Sequence, residues 1–187
     1  MDALLLSFFL CLIIDALGNQ SARAHHVLRR HGHSAASKAG IGLALALHAG
    51  LAAAAGFYIA TLITPEARSL FFALTLAMAA LSLFVSPKQQ APIDERGGAF
   101  AAGLAHTLIA GVGGSAQFVI AGIAAARADP WMAGLGGWLG SFAACLFVSG
   151  MLAEYHNMTR VKAARISSAI LLLIIAFFIA MSALRLV

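Results

Sequence analysis

The chain reads as six long apolar runs separated by short polar connections. They extend over about Ala3 to Val27, Ala39 to Ile63, Ala67 to Val85, Gly97 to Ala126, Trp131 to Leu152 and Ile166 to Leu186. Each run is continuously apolar instead of alternating with a period of two, which predicts helices and not barrel strands. Each is also close to the roughly 20 residues that a helix needs to cross a bilayer. Gly and Ala crowd the second, fourth and fifth runs, so those helices are expected to approach one another closely. Pro65 ends the second run, and Asp129-Pro130 turns the chain between the fourth and fifth. The most polar connection is Ser86 to Arg96. It divides the chain into a first three-helix unit, 1–85, a connector, 86–96, and a second three-helix unit, 97–187.

Two runs are interrupted in a related way. The first contains Leu12-Ile13-Ile14-Asp15-Ala16-Leu17-Gly18-Asn19-Gln20-Ser21-Ala22, with a carboxylate, a glycine and three hydrogen-bonding side chains. The fourth contains Leu108-Ile109-Ala110-Gly111-Val112-Gly113-Gly114-Ser115-Ala116-Gln117-Phe118. Matched polar breaks in corresponding segments of two halves point to the midplane site of a transporter built from repeats. Further pairs predict the same duplication: Ala46-Leu47-His48-Ala49 with Leu139-Gly140-Ser141-Phe142, and Thr64-Pro65-Glu66-Ala67-Arg68 with Asn157-Met158-Thr159-Arg160-Val161.

Composition turns this pattern into a statement about solvent. With 61% hydrophobic and 10% charged residues in a chain of 187, the apolar surface exceeds what a soluble domain of this size can bury. The expected class is an all-α integral membrane protein. A formal charge of +5 would suggest nucleic acid in a soluble chain, but here the basic residues collect in the connections. Arg23, Arg29, Arg30, Lys38, Lys88, Arg96, Arg160, Lys162 and Arg165 fall on one side, and Arg68, Arg127 and Arg185 on the other. The positive-inside rule then predicts a multi-pass chain with the first, third and fifth connections in the cytoplasm and both termini outside. Three helices per half also gives the halves opposite orientations, as in inverted repeats. No basic region precedes the first run and no small-x-small cleavage site follows cleanly, which predicts a retained first helix.

Asp15 is the carboxylate deepest in a run. It lies about 18 Å beyond Ala3 at 1.5 Å per residue, near mid-membrane. An aspartate there costs about 2.5–3.5 kcal/mol on insertion scales, so it calls for a function or a partner. One reading is a transport or proton-relay group; the other is a neutral, hydrogen-bonded acid holding helices together. His48 and His106, inside the second and fourth runs, are candidates to pair with it, or else imidazoles bonded to a neighbouring helix. Asn19, Gln20, Ser21, Ser115 and Gln117 could line a polar path, or could satisfy backbone groups freed at Gly18, Gly113 and Gly114. The tract His25-His26-Val27-Leu28-Arg29-Arg30-His31-Gly32-His33 reads as a basic surface loop near anionic lipid, because its arginines would repel a metal cation. Trp131, Trp138 and Tyr155 read as interface anchors. Cys11 and Cys145 form no metal-ligand spacing and read as buried free thiols. Without a Gly-rich phosphate loop, a serine triad or a Cys/His zinc cluster, neither an enzyme nor a cofactor is expected.

The order of these features resembles the Gdt family of membrane proteins, relatives of the calcium/cation exchangers associated with manganese or calcium export against protons. The family motif is Glu-x-Gly-Asp-(Lys/Arg)-(Thr/Ser)-Gln, once in each half. The resemblance rests on the six helices, the His48 region, the Pro65-Glu66 turn and the polar connector. It implies two inverted three-helix repeats and a cation as substrate. Aligned on Gly18, the motif falls on Ala16, Asn19, Gln20, Ser21 and Ala22. Aligned on Gly113, it falls on Gly111, Gly114, Ser115, Ala116 and Gln117. Gly18, Ser21, Gly113 and Gln117 keep the family residue, and all four carboxylates are absent. Three expectations follow: transport of a cation or small polar solute with Asp15 as the charge carrier, exchange of manganese or calcium as in the family, or a relative that has lost transport and serves as a membrane binding or regulatory subunit. The partners expected are the bilayer, the transported solute and a second copy of the chain, with no nucleic acid.

Overall fold

The computed structural model describes residues 1–18, 28, 33–84, 98–150 and 158–185. Seven α-helices and no strand occur among them: α1 Asp2–Leu17, α2 Ala35–Leu62, α3 Pro65–Phe84, α4 Ala99–Gly111, α5 Ser115–Arg127, α6 Pro130–Gly150 and α7 Met158–Ala183. Four of these, α2, α3, α6 and α7, are long and apolar enough to cross a membrane, and α4 and α5 are shorter apolar helices. The fourth run is therefore two helices with a break between them, as its glycines predicted. The sixth begins earlier than expected, at Met158, so that Arg160, Lys162 and Arg165 extend the apolar helix instead of preceding it. The connector 86–96 lies outside the described residues.

Local chemistry sets the helix starts. Ser34 caps α2, its hydroxyl accepting the Ser37 amide at 3.2 Å. Thr64 accepts the Ala67 amide at 3.4 Å and Asp129 accepts the Met132 amide at 3.2 Å. In both cases proline follows at the first helical position, where its missing N–H costs nothing.

Glycine brings backbones together. A side chain at Gly136 or Gly140 would collide with the Leu4 or Phe8 carbonyl, so α1 and α6 run parallel in close contact. Gly40 meets the Phe100 carbonyl in the same way, and Gly56 meets the backbone of Ala121. Between them His48 hydrogen-bonds the Leu108 carbonyl. Thus α4 and α5 follow α2 one after the other in one direction. Gly134 against Ala53, and the Trp138 indole donating to the Gly42 carbonyl at 2.9 Å, make α6 antiparallel to α2. On α3, Thr75 lies at Gly122 and Ser82 at Ser115, so α3 opposes α5. At one end of the bundle, Arg185 after α7 reaches Glu66 of α3 at 4.0 Å.

These contacts repeat. Leu4 stands to Gly136 as Phe100 stands to Gly40, and the Ser7 hydroxyl meets the Ala133 carbonyl where Gly103 meets that of Ser37. The displacement is 96 residues throughout (4 to 100, 7 to 103, 37 to 133, 40 to 136). It sets Gly18 against Gly114, one residue from the pairing with Gly113 read in the sequence. It sets His48 against Ala144 instead of Ser141. Trp138 and Gly42, themselves 96 apart, sit where the two relations cross.

The core is built from small residues, Ala79, Ala80, Ala116, Ala124, Ala133 and Ala144 among them, with Ile14, Leu76 and Ile123 filling between. The outside is apolar as well: Ile170, Leu171, Ile174, Phe177 and Phe178 of α7 are exposed. A surface of this kind is matched to hydrocarbon, where close packing of small residues holds helices together.

Gly136→Val should destabilise the protein by about 1–3 kcal/mol, because backbone and not a yielding side chain opposes the new atoms. Gly50→Ala, which meets nothing within 4 Å, should change stability little. Thermal unfolding in detergent checks the pair; equal effects would contradict this packing.

Candidate functional site

Asp15 occupies the last turn of α1 and is 2% exposed. Its carboxylate accepts a hydrogen bond from the Ser141 hydroxyl of α6. Cys11, one turn earlier on α1, and Cys145, one turn beyond Ser141 on α6, are buried free thiols within electrostatic reach of it. Ser7 completes the seam, donating to the Ala133 carbonyl at 2.7 Å. Ser7, Cys11 and Asp15 share one face because they are four residues apart. The gap they need on α6 is provided by Gly136, Gly137 and Gly140.

The second element is the break between α4 and α5, midway along the stretch from Ala99 to Arg127. Gly113 turns the chain at φ +74°, a conformation that side chains disfavour. Gln117, one turn into α5, folds back over the break: its Oε1 accepts the Gly113 amide at 3.1 Å and its Nε2 donates to the Gly111 carbonyl at 2.6 Å. One side chain thus satisfies a donor and an acceptor that the break sets free. Ser115 is held by Ser82 at 2.5 Å; because the Ser82 proton already goes to the Ala79 carbonyl at 2.6 Å, Ser115 is the donor. Beside the break, Val112 is 78% exposed.

The carboxylate and the break meet at one depth. The Cys11 thiol faces the Ala116 carbonyl at 3.9 Å, and α1 runs opposite to α5. One turn beyond Cys11, Asp15 is therefore level with Gly111 to Gly114. A helix C-terminus carries partial negative charge, so the end of α1 adds to the carboxylate and makes the place cation-attracting. No protein-family model, curated protein or solved structure matches this chain.

Of the residues singled out in the sequence, Asp15, Ser115, Gln117, Gly18, Gly113 and Gly114 lie at the two helix ends. Gln117 satisfies backbone groups at the break, the second of the two roles expected of it, whereas Ser115 bonds the Ser82 side chain of α3. His48 is on α2 and turned to α4, where it bonds the Leu108 carbonyl; its Nδ1 is buried with no hydrogen-bond partner among the described residues. His106 is on α4, half-buried. Neither histidine supplies the hydrogen bond that Asp15 receives from Ser141. Asn19, Gln20, Ser21, Tyr155 and most of the histidine tract lie outside the described residues. Trp131 is exposed, as suits an anchor, but Trp138 is a half-buried link between α6 and α2, bonded to Gly42 and stacked on Phe142.

Ser141 was missed as the partner of Asp15. The signal available was the small-residue spacing Gly137, Gly140, Ser141, Ala144, which marks the face that α6 presents to another helix.

Gln117→Leu should strand the Gly111 carbonyl, at a cost of about 1–3 kcal/mol for a buried group, and release the exposed Gly113 amide. Faster hydrogen exchange confined to 111–117, with α1 unaffected, is the expected readout. Unchanged exchange there would contradict the clamp.

Proposed function

We propose that this chain is a six-span inner-membrane transporter that moves a cation through a site at Asp15, beside the broken span α4–α5. The observation that carries this reading is the buried carboxylate with its serine partner at the depth of the break. A charged side chain inside a span marks an ion pathway more often than a structural contact. Irregular backbone at membrane depth is tolerated where it lines a cavity or is covered by protein, and Val112 on the break is open.

In this reading α1 and the pair α4–α5 are counterpart spans, α2 pairs with α6 and α3 with α7, giving two inverted three-helix repeats as in the Gdt exchangers. The constant displacement between Leu4–Gly136 and Phe100–Gly40 supports it. So does the alternation of helix directions, while in the sequence nine basic residues belong to the first, third and fifth connections and three to the second, the fourth and the C-terminal end. By the positive-inside rule the termini are then periplasmic. The α1 end and the break form the path, Asp15 holds the charge, and Ser141 orients the carboxylate.

A second reading, a relative without transport that acts as a membrane binding or regulatory subunit, is favoured by one observation. Gln117, which keeps the family residue, is committed to the backbone of the break.

Flux from ion-loaded proteoliposomes separates them. Asp15→Asn keeps size and hydrogen bonding, so the variant should fold while flux falls at least about tenfold, the loss of one charge-dependent step. Unchanged flux in Asp15→Asn would remove this residue from the mechanism. Wild-type protein that moves no ion would favour the second reading.

A further inference from the structure

A groove of about 440 Å³ runs between α1, α6 and α7, lined by Phe8, Leu12, Leu17, Ala143, Phe147 and Ser168 among others. We propose that it holds one acyl chain of an anionic phospholipid, with the lipid phosphate at Lys162 and Arg165 of α7. The proposal is independent of Asp15 and of transport.

The groove has a definite place in the bilayer. From Ile166 to Ala183, α7 carries no charge over about 27 Å, close to the roughly 30 Å of a hydrocarbon core, so Arg165 marks the edge of that core. Arg185, after α7, meets Glu66 at the start of α3, so α7 begins at the end where α3 stops. The helix α1 stops at that end too, because α1 and α3 both oppose α5. Ser168 in the lining is therefore one turn inside the edge. From Leu17 to Phe8 the groove follows α1 inwards for about 14 Å at 1.5 Å per residue. That is close to half the core, the depth of one leaflet.

The two ends of the groove differ in chemistry. Inside, Phe8, Leu12, Ala143 and Phe147 offer only apolar surface, which suits an acyl chain. At the edge, α7 brings Arg160, Lys162 and Arg165 and has no acidic residue. Lys162 is exposed, and a guanidinium with five donors lets Arg165 serve a phosphate and a protein partner at once. The connection leaving α1 adds Arg23, Arg29 and Arg30, with no acidic residue between Asp15 and Glu66. Clusters of Lys and Arg beside a span recruit anionic headgroups. Ser168, the polar side chain of the lining, stands between the charges and the chain, at the level of the lipid's ester groups. The groove between α3 and α7, about 830 Å³ in volume, lacks this pattern: towards its end lie Glu66 and Arg185, whose charges cancel.

Native mass spectrometry of the purified full-length chain, released from detergent after addition of dioleoyl phosphatidylglycerol or dioleoyl phosphatidylcholine, tests this. The wild type should retain one phosphatidylglycerol, and hold phosphatidylcholine at least about tenfold more weakly. Lys162→Gln, at an exposed position, should weaken phosphatidylglycerol about fivefold, the share of one surface charge, and leave phosphatidylcholine unchanged. Ala143→Phe fills the groove and should abolish retention of both lipids. Equal retention of the two lipids by the wild type, or phosphatidylglycerol binding that Lys162→Gln does not change, overturns the proposal. Retention unchanged in a folded Ala143→Phe overturns the groove as the place of the acyl chain. A dimer that Ala143→Phe dissociates would make the occupant a second copy of this chain and overturn the proposal as well. The wild-type and Lys162→Gln measurements decide the matter whether or not Ala143→Phe folds.

Discussion

Inside hydrocarbon a backbone N–H or C=O without a partner costs several kcal/mol, since no water is present to replace the one it lost. Every irregularity in this fold has to answer that constraint. The break between α4 and α5 answers it with Gln117, which closes on both sides of Gly113, and with the Ser115–Ser82 hydroxyl pair. The two helix ends at the break are then held together at the level of Asp15.

Close packing supplies the second requirement. Helices in lipid gain little from hiding apolar side chains, which are as well solvated by acyl chains as by one another. Association must come from contact area and from polar links. The glycines at 40, 56, 136 and 140 provide the contact by letting backbones touch. Ser7–Ala133, Asp15–Ser141, His48–Leu108 and Trp138–Gly42 are the polar links, and each joins different helices. The helix pairs held in this way, α1 with α6 and α2 with α4, cross between the halves of the sequence. The two halves are interlocked, and the region where they cross lies next to the site.

Much of this was legible in the residues. Pro65 and Asp129-Pro130 marked helix starts that the structure keeps, and the Gly113-Gly114 pair announced the break. Asp15 stood out by its insertion cost alone. What the residues concealed were partners: Gln117 looked like a ligand and is a backbone clamp, because an amide side chain one turn past a glycine reaches either way. Trp138 looked like an anchor at the membrane surface, yet its N–H found a carbonyl on another helix. The 96-residue displacement between matched contacts sets Gly18 one residue off the pairing read from the motifs, since short similar motifs fix a displacement less well than backbone contacts do.

The fold places a buried carboxylate and a serine hydroxyl at the level of the break between α4 and α5. The most direct test of the proposed transport site is a pair of anomalous-diffraction maps, from crystals grown in thallium(I) and in manganese(II). A cation peak beside the Asp15 carboxylate in one of them is the predicted result. No peak there from either cation would contradict it.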